Sequence, residues 1–220
     1  MEKTTKPTKA VSKLVLTRDE VLAKFPVGMT IAEVGVYRGA YSKRIAESAK
    51  PTKYFLIDCW QHVDDDTDYS KLDGCNDDNE RHEKNYRWVQ RMFRNYPGAE
   101  LIREFSGPAA EQIADASLDA VYIDGDHTYE GCLADLRAYS KKVKESGFMW
   151  GHDYTHTYAW IDVQRAIQTF TAESPEWSLA CITAEVPKKS PSWFLTRKGS
   201  AINDILATIG QKETHVEVKL

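Results

Sequence analysis

Short apolar runs alternate with helical patterns through the middle of the chain. The apolar runs, which we predict to be strands, lie at 31–35, 54–58, 101–105, 118–124 and 147–151. Between them apolar residues recur at the spacing of one helix face, as Leu133, Leu136 and Tyr139 do. Strands that alternate with helices in this way form a parallel sheet with helices on both faces.

The C-terminal part of the chain departs from this alternation. Residues 177–183 and 193–196 have the composition of strands, and no helical pattern separates them. A connection of about ten residues is too short for a parallel crossover, so the two segments should pair antiparallel at an edge of the sheet. The complete pattern predicts an α/β fold: a Rossmann-like, doubly wound, mostly parallel seven-stranded sheet with an antiparallel edge strand and helices on both faces.

Polar segments flank this pattern and interrupt it once. Residues 1–16 are predicted to be a flexible N-terminal arm, residues 17–212 a single domain, and residues 213–220 a polar C-terminal tail. Residues 61–80 are acidic and show no period. A stretch of this length inside a compact domain is typical of a functional loop, so we interpret it as a lid-like insertion. Its charge block alone indicates a solvated surface more often than a metal site.

A glycine-containing turn follows the first run of the alternating region. In residues 30–40, TIAEVGVYRGA, Gly35 ends the apolar run and Gly39 precedes a helical pattern. Glycine lacks the Cβ atom, so the backbone there can approach a ligand closely, although a tight turn after a buried strand explains the same residues. The spacing is not the Gly-x-Gly-x-x-Gly of dinucleotide sites, since Val36 and Arg38 stand where that pattern needs backbone room.

Polar residues stand where the predicted strands end. Asp58 closes the run YFLID, roughly 20 residues after the glycine turn, where doubly wound folds place the carboxylate that binds ribose hydroxyls. The other strand ends carry Glu33, Ser106, Asp124, Asp126, His127, His152 and Asp153. Taken singly, each of these residues could have only a structural role: an aspartate could be a helix N-cap, and a histidine could be a packed side chain. Because the carboxyl ends of parallel strands meet at one edge of a sheet, we expect these groups to converge on a ligand.

The composition and charge of the chain limit the classes of protein to which it can belong. The chain has 220 residues, of which 42% are hydrophobic and 28% charged, which is ordinary for a globular protein. Its net charge of −4 gives no electrostatic reason to bind a phosphate backbone, so we expect no nucleic-acid partner. The 4 cysteines form no Cys-x-x-Cys pair, and no apolar run reaches the roughly 18 residues of a membrane span. We therefore expect a cytoplasmic protein with no membrane partner.

Four motifs together resemble a known family. The segments EVGVYRGAY, YFLID, LDAVYIDGDHTYEG and GFMWGHDY, in that order and separation, resemble the motifs of class I S-adenosylmethionine-dependent methyltransferases. More narrowly, they are similar to the small-molecule O-methyltransferase branch that includes macrocin-type and other sugar O-methyltransferases. The resemblance covers about residues 30–170, and IDGDHTYEGCLADL is its most specific part.

The resemblance implies a site for S-adenosyl-L-methionine. Glu33, Gly35 and Gly39 should hold the methionine end of the cofactor and Asp58 the ribose. Ser106 and its neighbours should border the adenine and the sulfonium together with the residues from Asp124 to His127. The full set of implied cofactor-binding residues is Glu33, Gly35, Tyr37, Gly39, Ser42, Asp58, Cys59, Trp60, Ser106, Asp124, Gly125, Asp126 and His127.

The resemblance leaves two ways to handle the acceptor proton. A sugar hydroxyl is too weakly acidic to ionise near neutrality, so it needs a general base or a cation. Asp153, His152 and His127 are the candidate bases. In metal-dependent relatives the corresponding residues bind a divalent cation, Mg²⁺ or Mn²⁺, which here implies Asp124 and Asp153 with His152 as a third ligand. Relatives usually have Asp-Asp or Asp-Asn at the last pair, and imidazole suits Mg²⁺ less well than carboxylate does.

The acceptor is expected to be a small molecule, most simply a sugar or glycan. Aromatic residues that suit sugar rings lie near the strand ends, but they also suit phenols and peptides: Trp60, Tyr69, Tyr154, Tyr158 and Trp160. The alternatives are an NAD-type oxidoreductase of similar fold and a methyltransferase with a phenolic, protein or nucleic-acid acceptor. A homodimer is a further expectation.

Overall fold

Nine strands occur in the part of the chain that the computed structural model describes, which is residues 8–155, 160–184, 190–209 and 211–217. The strands are β1 Thr8–Leu14, β2 Thr30–Val34, β3 Lys53–Asp58, β4 Ala99–Arg103, β5 Leu118–Ile123, β6 Val143–Gly151, β7 Ser178–Ile182, β8 Trp193–Thr196 and β9 Gln211–Glu217. They form a single sheet with the order β4-β3-β2-β5-β6-β8-β7-β1-β9. The strands β2 to β6 pair in parallel, which confirms the predicted α/β fold with a mostly parallel sheet.

The antiparallel part of the sheet differs from the prediction in its position. The strand β8 pairs antiparallel with both β6 and β7, as expected for a short connection. The pair β7 and β8 is not at the edge, because β1 pairs with β7 and β9 pairs with β1. These two additional strands raise the predicted seven strands to nine in the described residues.

The two ends of the described chain pair with each other. The strands β1 and β9 pair antiparallel, with Thr8 opposite Glu217 at one end and Leu14 opposite Gln211 at the other. The prediction of a flexible arm for residues 1–16 is therefore wrong for β1, and the prediction of a tail for residues 213–220 is wrong for their part of β9. Each segment satisfies its backbone hydrogen bonds through a partner far away in sequence, and local composition does not reveal such pairing.

Eight helices lie between these strands in the described residues: α1 Arg18–Leu22, α2 Ala40–Ser48, α3 Asp68–Leu72, α4 Asn79–Phe93, α5 Ser106–Glu111, α6 Tyr129–Ser140, α7 Val163–Glu173 and α8 Asn203–Thr208. The helix α3 falls inside the insertion 61–80, for which the sequence shows no period. Its N-cap is Thr67, whose side chain accepts a hydrogen bond of 3.1 Å from the backbone N–H of Ser70. None of the helices in the described ranges has the length and apolar content needed to cross a membrane.

Two apolar cores cover the two faces of the sheet. One contains residues from α5, α6 and α7, and the other contains residues from α1, α2, α4 and α8. The side chains of a strand alternate between these faces, so Ile31 and Glu33 of β2 point away from Ala32 and Val34. This alternation decides which strand residues can reach a ligand at the end of the sheet.

Glycine is required where β2 turns toward α2. Gly35 has φ of +88°, and a Cβ atom there would lie 2.1 Å from the carbonyl oxygen of Asp124. Gly39 has φ of +72° and precedes α2. A side chain at the first position would push β2 and β5 apart at the edge where the site lies.

Candidate functional site

A cavity of about 410 Å³ lies beyond the carboxyl ends of β2, β3, β4 and β5. Most of the residues that the resemblance implies for the cofactor line it: Gly35, Tyr37, Asp58, Cys59, Ser106, Asp124, Gly125, Asp126 and His127. Seven lining residues carry a carboxyl group: Asp58, Asp65, Asp73, Glu104, Asp124, Asp126 and Asp135. Among the described residues that line the cavity, none is lysine or arginine. The strand ends thus converge on one concave, acidic site, as expected for an open parallel sheet.

Asp58 joins the turns that follow β2 and β3. Its carboxylate accepts a hydrogen bond of 2.7 Å from the backbone N–H of Tyr37 and another of 2.7 Å from that of Trp60. Burial raises the pKa of Asp58 above its ordinary value, and these hydrogen bonds oppose the rise. A carboxyl oxygen has more than one acceptor position, so Asp58 can organise both turns and still bind a hydroxyl group.

Three residues with left-handed backbone follow strands at this edge. Tyr37, Trp60 and Asp153 have φ of 49°, 42° and 54°, respectively. Such conformations are unfavourable for residues with side chains and persist where the surrounding structure fixes them, often at functional sites. The described residues include three other non-glycine residues with positive φ, Lys50, Asp66 and Ala116, so such backbone is not confined to the ends of β2, β3 and β6.

Four of the implied cofactor residues lie outside the cavity wall. The strand alternation turns Glu33 into the opposite core, where its carboxyl accepts a hydrogen bond from the Tyr54 hydroxyl and burial raises its pKa to about 8. Ser42 is also fully buried, on α2. Gly39 precedes α2. Trp60 packs against Tyr86, and its Nε1 donates to the carbonyl oxygen of the cavity residue Tyr37 at 2.8 Å. These positions give Glu33 and Ser42 no direct access to a ligand in the cavity.

The predicted catalytic residues form one cluster at the edge of the cavity. The Nε2 atom of His127 lies 3.2 Å from Oδ1 of Asp124 and 3.2 Å from Oδ2 of Asp153. The Nδ1 atom of His152 lies 3.1 Å from the same Oδ2 of Asp153. Asp124 and His127 line the cavity and connect it to His152 and Asp153, which lie in the loop directly after β6. The structure therefore brings together all the groups that the sequence assigns to catalysis.

Mutual interaction sets the ionisation of this cluster. Burial alone would lower the pKa of His127, but hydrogen bonds to Asp124 and Asp153 outweigh it and raise the pKa to about 10. Burial likewise opposes ionisation of Asp153, yet hydrogen bonds from His127 and His152 hold its pKa well below the usual range. The pKa of Asp124 is also lowered, by its hydrogen bond with His127 against the effect of burial. At neutral pH, His127 is therefore an imidazolium between two carboxylates.

Three residues of the cluster form a possible ligand set for a metal ion. Asp124, His152 and Asp153 each offer one ligand atom, and these atoms all lie within 4.8 Å of one another. Two carboxylate oxygens and one imidazole nitrogen suit a divalent cation, and the nitrogen favours Mn²⁺ over Mg²⁺. The donor set fits the cation that the resemblance implies.

The insertion 61–80 forms one wall of the cavity. The hydroxyl of Tyr69 on α3 donates to the carbonyl oxygen of Gly125 at 3.0 Å, and the Tyr37 hydroxyl donates to Asp77 at 2.8 Å. The ring of Tyr69 lies 5.8 Å from that of Trp160 and 6.3 Å from the imidazole of His127. Tyr69 and Trp160 therefore place aromatic surface beside the cluster that contains His127. Of the other aromatic candidates, Trp60 and Tyr154 are buried, and Tyr158 lies outside the described residues.

Several cavity residues were not predicted from the sequence. Besides the wall of the insertion they include His82, Glu104 and Asp135. Asp135 is 2% exposed, and burial raises its pKa to about 7. Its signal in the sequence is its helical spacing of four residues from Gly131, which faces the same cavity. Phe105, the neighbour that precedes Ser106, was expected near the adenine; the residue is 46% exposed and lines the cavity.

Comparisons with known proteins agree with this architecture. A family model described as a methyltransferase domain matches residues 32–154. The fold is similar to that of a putative rRNA-methylase from Clostridium thermocellum, with a TM-score of 0.58 at 10% identity over 83% of this chain and 94% of that chain. It is also similar to Aeropyrum pernix fibrillarin in complex with natively bound S-adenosyl-L-methionine, with a TM-score of 0.56 at 11% identity over 78% of this chain and 67% of that chain.

A third solved structure of similar fold is spermidine synthase in complex with the transition state analogue AdoDATO, with a TM-score of 0.53 at 14% identity over 86% of this chain. The chain spans 59% of that protein and 57% of the spermidine synthase from Thermotoga maritima. At identities this low, the likeness to solved structures shows the fold alone. The comparison with curated proteins found no match.

Proposed function

Because the chain belongs to the methyltransferase domain family, we propose that it transfers a methyl group from S-adenosyl-L-methionine to a hydroxyl group of a small molecule, a sugar or glycan. The observation that carries this proposal is the cavity whose wall contains Gly35, Asp58, Asp124 and His127, since the last two of these residues connect it to His152 and Asp153. Family membership supports methyl transfer, and the cluster supports an acceptor whose proton must be removed.

Residues on the β2, β3 and β4 side would bind the donor. Asp58 is placed to accept hydrogen bonds from ribose hydroxyls, and Gly35 lies in the part of the cavity wall that the amino acid end would face. The exposed ring of Phe105 offers a flat apolar surface to the adenine, next to Ser106. The bound sulfonium supplies the methyl group together with a good leaving group, so the protein's main task is positioning, which can contribute about 7 to 11 kcal/mol.

The pair of His152 and Asp153 is the proposed base for the acceptor hydroxyl. Asp153 faces Nδ1 of His152, an arrangement that keeps a proton on Nδ1 and leaves Nε2 as the proton acceptor. His127 is less suited to this role, because its raised pKa keeps it protonated at neutral pH. Asp153 itself is a weak base because its pKa is low, so its contribution is to orient and stabilise the imidazole.

A divalent cation is the second candidate for handling the acceptor oxygen, and the ligand set of Asp124, His152 and Asp153 favours it. When bound, such a cation would stabilise the negative charge that develops on that oxygen. In this version Asp124 and Asp153 contribute charge and His152 contributes a nitrogen ligand. Asp153 is needed in both versions.

The proposal of a sugar acceptor rests on the surroundings of the cluster. Tyr69 and Trp160 present aromatic rings, and carboxylates stand nearby, a combination that suits carbohydrate rings and their hydroxyls. A phenol would also stack on these rings. A nucleic-acid acceptor has less support, because the cavity lining in the described residues is acidic.

Two assays test the proposed function. Thermal shift with S-adenosylhomocysteine should stabilise the protein, whereas NAD⁺ should not, since a ligand stabilises only the protein that binds it. A screen of free sugars, glycans, catechols and RNA with labelled methyl donor should then give label in a sugar fraction. Stabilisation by NAD⁺ alone would contradict the donor, and label in catechol or RNA alone would contradict the acceptor.

Chelation separates the two versions of the mechanism. In the version with a cation at Asp124, His152 and Asp153, EDTA should lower methyl transfer by at least about tenfold and added Mn²⁺ should restore it, whereas in the version with His152 as the base the rate should not change. The measurement is the initial rate of label transfer before and after dialysis against EDTA, with S-adenosylhomocysteine affinity as the control for folding. An unchanged rate would leave His152 and Asp153 as the base without a cation.

A further inference from the structure

Arg18 reaches the catalytic cluster from outside the segment that the family model matches. It is the first residue of α1, and its Nη1 donates to the hydroxyl oxygen of Tyr122 at 2.9 Å. The Tyr122 hydroxyl in turn donates to Oδ2 of Asp124 at 3.0 Å. We propose that Arg18 and Tyr122 are positioning residues that hold the Asp124 carboxylate for the reaction, an inference that rests on the proposed function.

The chemistry of the hydroxyl makes this chain of hydrogen bonds directional. A guanidinium group only donates, so Arg18 must occupy a lone pair of the Tyr122 oxygen. The single hydrogen of that hydroxyl is then directed to Asp124. Since Oδ1 of Asp124 lies 3.2 Å from His127, its two oxygens are held by different partners on different sides. The carboxylate therefore cannot rotate without losing one of these contacts.

Packing fixes the ring that carries the hydroxyl. Tyr122 is fully buried in β5, with its ring 4.5 Å from that of Tyr41 and 5.2 Å from that of Trp150. The guanidinium of Arg18 stacks on the other tyrosine, 4.4 Å from the centroid of the Tyr41 ring. Packing thus holds both the Tyr122 ring and the Arg18 guanidinium in place.

A purely structural role would make Arg18 only an anchor of α1 on the sheet. The two roles differ in what removal of one oxygen atom does. Tyr122→Phe keeps the ring and its packing but removes the contact with Asp124. Tyr41→Phe is the matched control, since it removes a hydroxyl from the neighbouring ring in the same stack, and that hydroxyl makes no hydrogen bond with Asp124.

The experiment compares wild type, Tyr122→Phe, Arg18→Gln, Arg18→Lys and Tyr41→Phe. For each we would measure S-adenosylhomocysteine affinity by calorimetry, and kcat and KM with the acceptor found in the labelled-methyl screen. Crystal structures of wild type and Tyr122→Phe with S-adenosylhomocysteine would show the orientation of Asp124. We expect kcat to fall by about 10- to 100-fold in Tyr122→Phe and Arg18→Gln, the usual effect of losing a partner that orients a reacting group.

The same variants should keep KM for the donor within about twofold of wild type, as expected when a contact matters only in the transition state. Arg18→Lys should recover part of kcat, Tyr41→Phe should match wild type, and Asp124 should turn away from His127 in Tyr122→Phe. An unchanged Asp124 orientation and kcat in Tyr122→Phe would overturn the proposal. Equal losses of stability and donor affinity with wild-type kcat would also overturn it. Failure of wild type to bind S-adenosylhomocysteine would instead overturn the proposed function.

Discussion

Asp153→Asn is expected to lower kcat for methyl transfer by about 10²- to 10⁴-fold, the size of an acid–base contribution, while the affinity for S-adenosylhomocysteine stays within about twofold. The carboxylate accepts from His127 and His152 through the same oxygen. The oxygen of an amide of the same shape could still accept from both rings, but the amide carries no charge, so it cannot balance the His127 imidazolium or stabilise positive charge on His152. Asp153 does not line the cavity in which the donor should lie, so donor binding should survive.

The measurement pairs calorimetry with S-adenosylhomocysteine and a labelled-methyl rate assay on the same preparation. Asp115→Asn is the matched control, because Asp115 is exposed, pairs with Lys142 on the surface and lies outside the cavity. If Asp153→Asn lost donor affinity as severely as a change at Asp58 does, Asp153 would belong to the donor site and its role at the acceptor would be wrong.

Asp58→Ala is expected to weaken S-adenosylhomocysteine binding by about 10- to 100-fold, since hydrogen bonds to a charged group contribute about 1.5 to 3 kcal/mol. Asp58 lines the cavity where ribose hydroxyls would need an acceptor. It also holds the backbone N–H groups of Tyr37 and Trp60, so the variant should melt at a lower temperature. The two effects have one cause, the removal of an acceptor shared by ligand and turns.

Calorimetry at a temperature where circular dichroism shows both proteins folded would separate binding from stability. Asp64→Ala serves as the control, because Asp64 is an exposed carboxylate of the insertion that does not line the cavity. Wild-type affinity in a folded Asp58→Ala protein would show that the ribose is bound elsewhere. In that case the spacing between the glycine turn and Asp58 would have only a structural meaning.

The sequence was most informative where local pattern and function coincide. The parallel strands β2 to β6 are short apolar runs that end in polar residues, and the carboxyl ends of parallel strands necessarily share an edge. For this reason the sequence predicts that Asp58, Asp124 and His127 lie close together. The cluster with His152 and Asp153 followed from the same rule.

The failures have physical causes that local sequence does not contain. The strands β1 and β9 are polar segments that become strands by pairing with distant parts of the chain, β1 with β7 and β9 and β9 with β1, and nothing in either segment specifies these partners. Glu33 was grouped with the glycine turn because it is close in sequence, yet alternation along β2 sends its side chain to the opposite face, beside Tyr54. Ser42 is likewise buried, on α2, and does not reach the cavity. His82 and Asp135 reach the cavity from helices, whose approach depends on packing rather than on a motif.

The acidic lining has a consequence for how the proposed reaction would turn over. The donor arrives with a positive sulfonium and leaves as a neutral thioether, and the carboxylates of Asp58, Asp124 and Asp126 line the same cavity. Coulombic attraction therefore favours the incoming form over the spent one at the place where both must bind. Such a preference would limit product inhibition and would weaken as salt concentration rises.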